Sequence, residues 1–348
     1  MRGKRFAVRK LRAKLSRSFH DTIIAISVAM QLIISGLVGI TAVVSTAIFA
    51  VKFPRQPVER CGFRGSIITD YNKTETENSV ELCIYDTAHL AQTYTALCCL
   101  LMLADDFSRV DKSAILTMVG ACQKSDGSFY AHGSQNSEND MRFVFCAVAV
   151  CFILNDFSRI DIERLVDFIG KSVSYDGGIA QAPHCESHEY VRVFFEGGST
   201  YCAIASLWML GRLWDHSVLS RQQIERLKAW AVFKQEVGFH GRTNKSDDSC
   251  YAFWIGATLA MLNNAQCLVD ESEIRRFLMF AQNVSIGGFS KYEDSTPDIL
   301  HTYFSLAALS IFGEPSLQPV FAPLNITQRA YDRLRRLHTI INKNDAVH

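Results

Sequence analysis

The sequence is short of charge and of cysteine patterning. Asp, Glu, Lys and Arg make up 20% of its 348 residues against 48% apolar ones, which suits one large core or two rather than a solvated, disordered chain. Eleven cysteines contain no C-x-x-C pair, and Cys98 and Cys99 are adjacent. Thiols scattered along apolar runs imply free, buried cysteines in a reducing compartment, not a disulfide framework. No acid occurs among residues 1–20, which hold eight Arg or Lys, so the remaining 28 cations face 35 acids and the body is net negative. With no basic stripe interleaved with aromatics, that balance argues against a nucleic-acid surface.

Charge is missing altogether from residues 22–51, "TIIAISVAMQLIISGLVGITAVVSTAIFAV". A stretch of this length exceeds the ~20 residues that span a bilayer, and the basic flank would keep the N-terminus cytoplasmic. It is too long for a signal peptide and lacks an A-x-A site. Gly36 and Gly39 also permit a helical hairpin, so a membrane-spanning helix and a buried helix pair both stay open.

From residue 58 onward a short phrase recurs: "QKSDGSF" (123–129), "SVSYDGGI" (172–179), "KQEVGF" (234–239) and "QNVSIGGF" (282–289). Its closing residues Phe129, Ile179, Phe239 and Phe289 are spaced 50, 60 and 50, the mark of stacked supersecondary units. Apolar segments rich in small residues surround these turns, at 86–103, 140–154, 197–210, 248–262 and 298–312. Being apolar nearly all round, they predict buried helices, while amphipathic segments such as 219–233 predict outer ones. The expected fold is all-α, a ring of helical hairpins. The runs are too short, and too charged at their starts, for five membrane spans. The interval of 60 suggests about ten extra residues, with "EYVRVFFE" (189–196) as the candidate insert.

Chemistry concentrates at the helix mouths. Asp248 and Cys250 are two apart, which within a helix is ~200° of rotation, so they converge only if Asp248 lies in the entry turn. His301 occupies the corresponding region of the next inner helix. Carboxylate, thiolate and imidazole are three zinc ligands that leave a fourth position open. Read singly, Asp248 suits an N-cap, Cys250 a core residue and His301 a satisfied helix histidine. Arg242, Lys245 and Tyr251 crowd the same mouth and suit a diphosphate, or simply a solvated loop. Phe253 and Trp254 would line a cavity for a long hydrocarbon, or form plain core.

The stretches "RCGFRGS" (60–66), "SENDMRFVFCA" (137–147), "GGSTYC" (197–202), "GRTNKSDDSCYAFWIGATL" (241–259) and "GGFSKYEDSTPDILHTYF" (287–304) resemble the β subunits of protein prenyltransferases, above all that of type I protein geranylgeranyltransferase. The resemblance covers about residues 58–340 and implies an α/α toroid from 58 to 348. It also implies Zn2+ on Asp248, Cys250 and His301, and lipid diphosphate on His188, Arg242, Lys245 and Tyr251. At Lys291 farnesyltransferases carry an aspartate that helps hold Mg2+, so lysine implies a magnesium-independent, type I enzyme. The implied reaction moves a geranylgeranyl group from its diphosphate to the cysteine of C-a-a-X proteins such as small GTPases, in a cytoplasmic heterodimer with an α subunit. Residues 1–57, a basic and hydrophobic leader, and 189–196 depart from the family pattern. They leave three alternatives: a non-catalytic or membrane-anchored relative that binds the α subunit or prenyl lipid, a farnesyltransferase-type β subunit, and a sequence in which these stretches do not belong to the natural protein.

Overall fold

A computed structural model describes residues 61–63, 88–133, 137–185, 196–242 and 244–345. Among these are ten α-helices: α1 (Leu90–Met102), α2 (Lys112–Ala121), α3 (Met141–Leu154), α4 (Ile162–Lys171), α5 (Glu196–Met209), α6 (Arg221–Val232), α7 (Ser249–Met261), α8 (Glu271–Phe280), α9 (Ile299–Ile311) and α10 (Gln328–Asp345). The leader, the 57/58 boundary, His188 and residues 189–195 lie outside the described residues. Among the described residues no helix is long and apolar enough to cross a membrane.

Odd-numbered helices α1 to α9 stand side by side in chain order and are the expected inner layer. In α7, every residue except Tyr251 and Ala260 is buried, as an all-apolar helix requires. The outer helices α2, α4, α6 and α8 bury one stripe each, for example Leu165, Val166, Phe168 and Ile169 in α4. Aspartate or serine caps most starts, at Asp111, Asp140, Asp161, Ser220, Asp248, Asp270 and Asp298, each accepting an otherwise orphaned N–H.

Each recurring phrase closes a turn between outer and inner helix, through single bridges Gln123–Phe129, Val173–Ile179, Gln235–Phe239 and Gln282–Phe289. Gly127 sits at φ +90, and a Cβ there would lie 2.0 Å from the Arg164 carbonyl oxygen, so the turn can rest on the next outer helix only as glycine. Gln123 clamps that helix by donating to Asp161 O (2.9 Å) and accepting from Asp161 N–H (2.7 Å). Gln235 does the same to Asp270 at 2.8 Å in both directions.

A second inter-repeat ladder positions the loops beyond the turns. Leu90, Met141, Gly197 and Ser249 N–H donate to the carbonyls of Ala131, Gln181, Gly241 and Lys291. Every such loop therefore lies over the mouth of the preceding inner helix and satisfies one of its free amides. The extra residues of the longer interval are shared out. The stretch between Ile179 and α5 is longer than its counterparts, α6 has 12 residues against 10 in α2, α4 and α8, and Glu196, read as the end of the insert, begins α5.

The C-terminal segment spans the inner helices. An antiparallel pair, β1 (Val320–Phe321) and β2 (Ile326–Thr327), flanks a 3-10 turn at Ala322–Leu324. Tyr94 of α1 and Tyr201 of α5 donate hydroxyls to Leu324 O and Ala322 O, both at 2.8 Å, and Tyr303 of α9 donates to Asn325 O. Helix α10 then packs on α1, with Arg333 donating to Asp105 O and His338 Nε2 lying 3.1 Å from Ile153 O.

Candidate active site

The carboxylate, thiol and imidazole meet as their sequence positions predict. Asp248 is the extended N-cap of α7 (φ −143, ψ 130), in the same β region as its counterpart His89 of α1 (φ −127, ψ 132), and its Oδ1 accepts from Cys250 N–H at 3.0 Å. This non-helical entry turn brings the two side chains to one face. His301, in the first turn of α9, places Nε2 3.3 Å from Asp248 Oδ1. One ligand atom from each of Asp248, Cys250 and His301 lies within 4.8 Å of the others, with the first two residues buried.

The electrostatics suit a cation. Burial pushes the Cys250 thiol well above its usual range, and the Asp248 carboxylate adds to the effect. Burial would raise Asp248, but hydrogen bonds from His301 and from the Cys250 side chain and amide outweigh it and hold the carboxyl low. Burial would lower His301, yet hydrogen bonds to Asp248 and Asp298 raise it. A positive ion at the centre would favour the anionic carboxylate and thiolate and take the imidazole lone pair, so these residues fit a metal with N, O and S ligands such as zinc.

Asp298 is the residue the sequence reading missed. It caps α9, its Oδ1 accepting from His301 N–H (2.9 Å), and holds Oδ2 2.5 Å from His301 Nδ1. Such a carboxylate fixes the ring's orientation and leaves Nε2 to face the cluster. The signal was available, since Asp298 stands fifty residues after Asp248 at the same cap position; His301 itself lies one place beyond the counterpart of Cys250.

Of the candidate diphosphate residues, Lys291 lies beside this cluster. Ser249 N–H and hydroxyl bond to Lys291 O (2.9 Å) and Ser290 O (2.7 Å), which leaves Lys291 Nζ 3.6 Å from Asp248 Oδ2. Lys245 is exposed and Arg242 half-buried, joined by a turn from Lys245 N–H to Arg242 O (3.3 Å). The Tyr251 ring lies against Gly197 and Gly241.

One turn below Cys250, Trp254 lines a pocket between the inner helices whose cavity volume is about 20 Å3, with Tyr94, Phe145, Cys146, Tyr201 and Cys202. Arg142 and Asn325 are its polar members. Phe253 is not among these lining residues. Its ring is fully buried, stacked on Phe304 at 5.1 Å and 5.2 Å from Tyr201, so it packs neighbouring inner helices together. The cysteines match the expected burial, since seven of the ten in the described residues are buried.

Residues 14–341 match the prenyltransferase alpha-alpha toroid domain. The chain belongs to the prenyltransferase family. The geranylgeranyl transferase type-1 subunit beta of Dictyostelium discoideum is 42% identical over 285 residues, spanning 80% of this chain and 76% of that protein. The Arabidopsis thaliana protein of the same name is 39% identical, over 70% of this chain and 64% of its own. Among solved structures, Candida albicans protein geranylgeranyltransferase-I complexed with GGPP superposes with a TM-score of 0.66 at 26% identity, covering 79% of each chain. The prenyltransferase toroid thus accounts for the layered helices, and type-1 β subunits are among the relatives whose sequence this chain shares over most of its length.

Proposed function

We propose that the chain is the β subunit of a type I protein geranylgeranyltransferase, working in the cytoplasm with a helical α subunit on proteins ending in C-a-a-X. The observation that carries this reading is the meeting of Asp248, Cys250 and His301 one helical turn above an apolar cavity, in a chain related to type-1 β subunits. In this reading the three residues hold Zn2+, which when bound supplies the positive charge that keeps the acceptor cysteine deprotonated at neutral pH. Arg242, Lys245, Tyr251 and Lys291, with His188 outside the described residues, bind the diphosphate and neutralise the charge that grows as it departs. Trp254 and its neighbours take the hydrocarbon and exclude water from it. Lys291 beside Asp248 favours donor binding without a second, magnesium site.

The test is co-expression with an α subunit, zinc analysis, and transfer assays comparing fifteen- and twenty-carbon donors. Stoichiometric zinc and preference for the longer donor are expected, and Cys250→Ser should lose both metal and transfer. Full activity and zinc in Cys250→Ser would refute the assignment.

A further inference from the structure

The loop 240–247 carries Arg242 and Lys245, and its two ends cross beside Asp248. Asp248 N–H donates to Phe239 O at 3.0 Å. Asp247 adds a side-chain anchor, because its Oδ2 accepts from Val237 N–H (3.1 Å) and Gly238 N–H (2.8 Å). Those amides belong to the repeat's own glycine turn, held in place by the Gln235–Phe239 bridge and by the Gln235 clamp on Asp270. The second oxygen, Asp247 Oδ1, is buried without a hydrogen-bond partner among the described residues and faces His240 Nδ1, equally without one among them, across 3.9 Å. The two side chains are 10% and 13% exposed, so their polar atoms are kept from water at a cost that needs a reason.

Neighbouring repeats show what is special. The residue ahead of the inner-helix cap is Asn139 in one, whose amide reaches the Ser128 hydroxyl, and Pro297 in another, which lies over Gly288. All three rest on their own turn. Among them, Asp247 does so through charge-assisted bonds to two backbone amides, the stronger kind, and it does so at the foot of the loop that bears cations.

We infer that Asp247 is a positioning residue that ties the foot of loop 240–247 to the Val237–Gly238 turn, with His240 as the facing half of the base, and so fixes Arg242 and Lys245 relative to Asp248 for an incoming diphosphate. The assignment of the ligand rests on the proposed function; the anchoring itself does not. An anion drawn between the two cations loads the loop, and a loop free at one foot must be ordered again at each binding event.

The experiment uses the α–β heterodimer with Asp247→Ala and Asp247→Asn, the latter keeping a neutral oxygen for the two amides. In Asp247→Ala, KM for geranylgeranyl diphosphate should rise about tenfold while kcat changes less and zinc stays stoichiometric. Trypsin should cleave after Arg242 or Lys245 about tenfold faster than in the parent, and Asp247→Asn should restore most of both. Should the alanine variant not fold, Asp247→Ser, too short to reach both amides, carries the same expectation. Unchanged trypsin cleavage overturns the anchor, as does loss of zinc from every variant, which would make Asp247 part of the metal site. A parent that uses no geranylgeranyl diphosphate while the trypsin difference persists overturns the proposed function and leaves the anchor standing.

Discussion

Asp298 holds His301 from both ends, with one carboxylate oxygen on the backbone amide at 2.9 Å and the other 2.5 Å from Nδ1. A single side chain therefore starts helix α9 and aims its imidazole at Asp248. The two roles separate by substitution. Asp298→Asn keeps a good N-cap, whereas Asp298→Ala removes it at about 1 kcal/mol. Both weaken the anionic hold on the ring, so zinc affinity should fall about 10–100-fold in each, with thermal stability of the apo-protein reduced chiefly in Asp298→Ala. Competition against a chromogenic chelator measures the first and calorimetry the second; wild-type zinc affinity in both variants would remove Asp298 from the metal's support.

The same imidazole gives a pH signature. Although burial opposes it, pairing with Asp248 and Asp298 raises His301 above its usual 6.5, so in metal-free protein the protonated ring is the stabilised form. That contribution is complete below about pH 6.5 and is lost as pH rises through the raised folded value. A bound metal needs the neutral ring and the Cys250 thiolate, so its stabilisation grows in the opposite direction. Between about pH 6 and 8, apo Tm should fall relative to His301→Ala, while the Tm increment from added zinc increases. Increments that shrink with pH would contradict the site.

Much of this was legible from spacing alone. The phrases ending at Phe129, Ile179, Phe239 and Phe289 fixed the period, and all-apolar runs separated inner from outer helices because burial on every side leaves no polar stripe. Asp248, Cys250 and His301 could be grouped because neighbouring repeats stack in register. The Gln235–Asp270 clamp and the Asp247 anchor were not legible, since a polar side chain in a loop has no periodicity to reveal its partner. The C-terminal segment was hidden for a related reason. Tyr94, Tyr201 and Tyr303 read as ordinary aromatic core, and nothing in sequence says that their hydroxyls converge on one distant turn.

Gly241 offers a steric test of the diphosphate reading. A Cβ there would lie 1.9 Å from Tyr251 Cζ and 2.3 Å from its hydroxyl oxygen, contacts that no side-chain adjustment short of moving the ring relieves. Gly241→Ala should displace Tyr251 and lower stability by about 1–3 kcal/mol. Its KM for the lipid diphosphate should rise by about as much as in Tyr251→Ala, with zinc content unchanged. An unaltered KM in Gly241→Ala would place Tyr251 outside donor binding.

The C-terminal segment makes the last prediction. Tyr201→Phe removes one of two donors to the Ala322 carbonyl, which keeps the Asn325 N–H, whereas Tyr94→Phe removes the donor of the buried Leu324 carbonyl. The first loss should cost about 0.5–1.5 kcal/mol and the second about 1–3 kcal/mol. If the turn docks as a unit, the first lost anchor loosens it and the second then has less to lose, so the double variant should fall short of the sum by about 0.5 kcal/mol or more. Urea unfolding of both singles and the double supplies the cycle. Strict additivity would mean that Ala322 and Leu324 are held independently, each by its own helix, and that the segment does not couple α1 to α5.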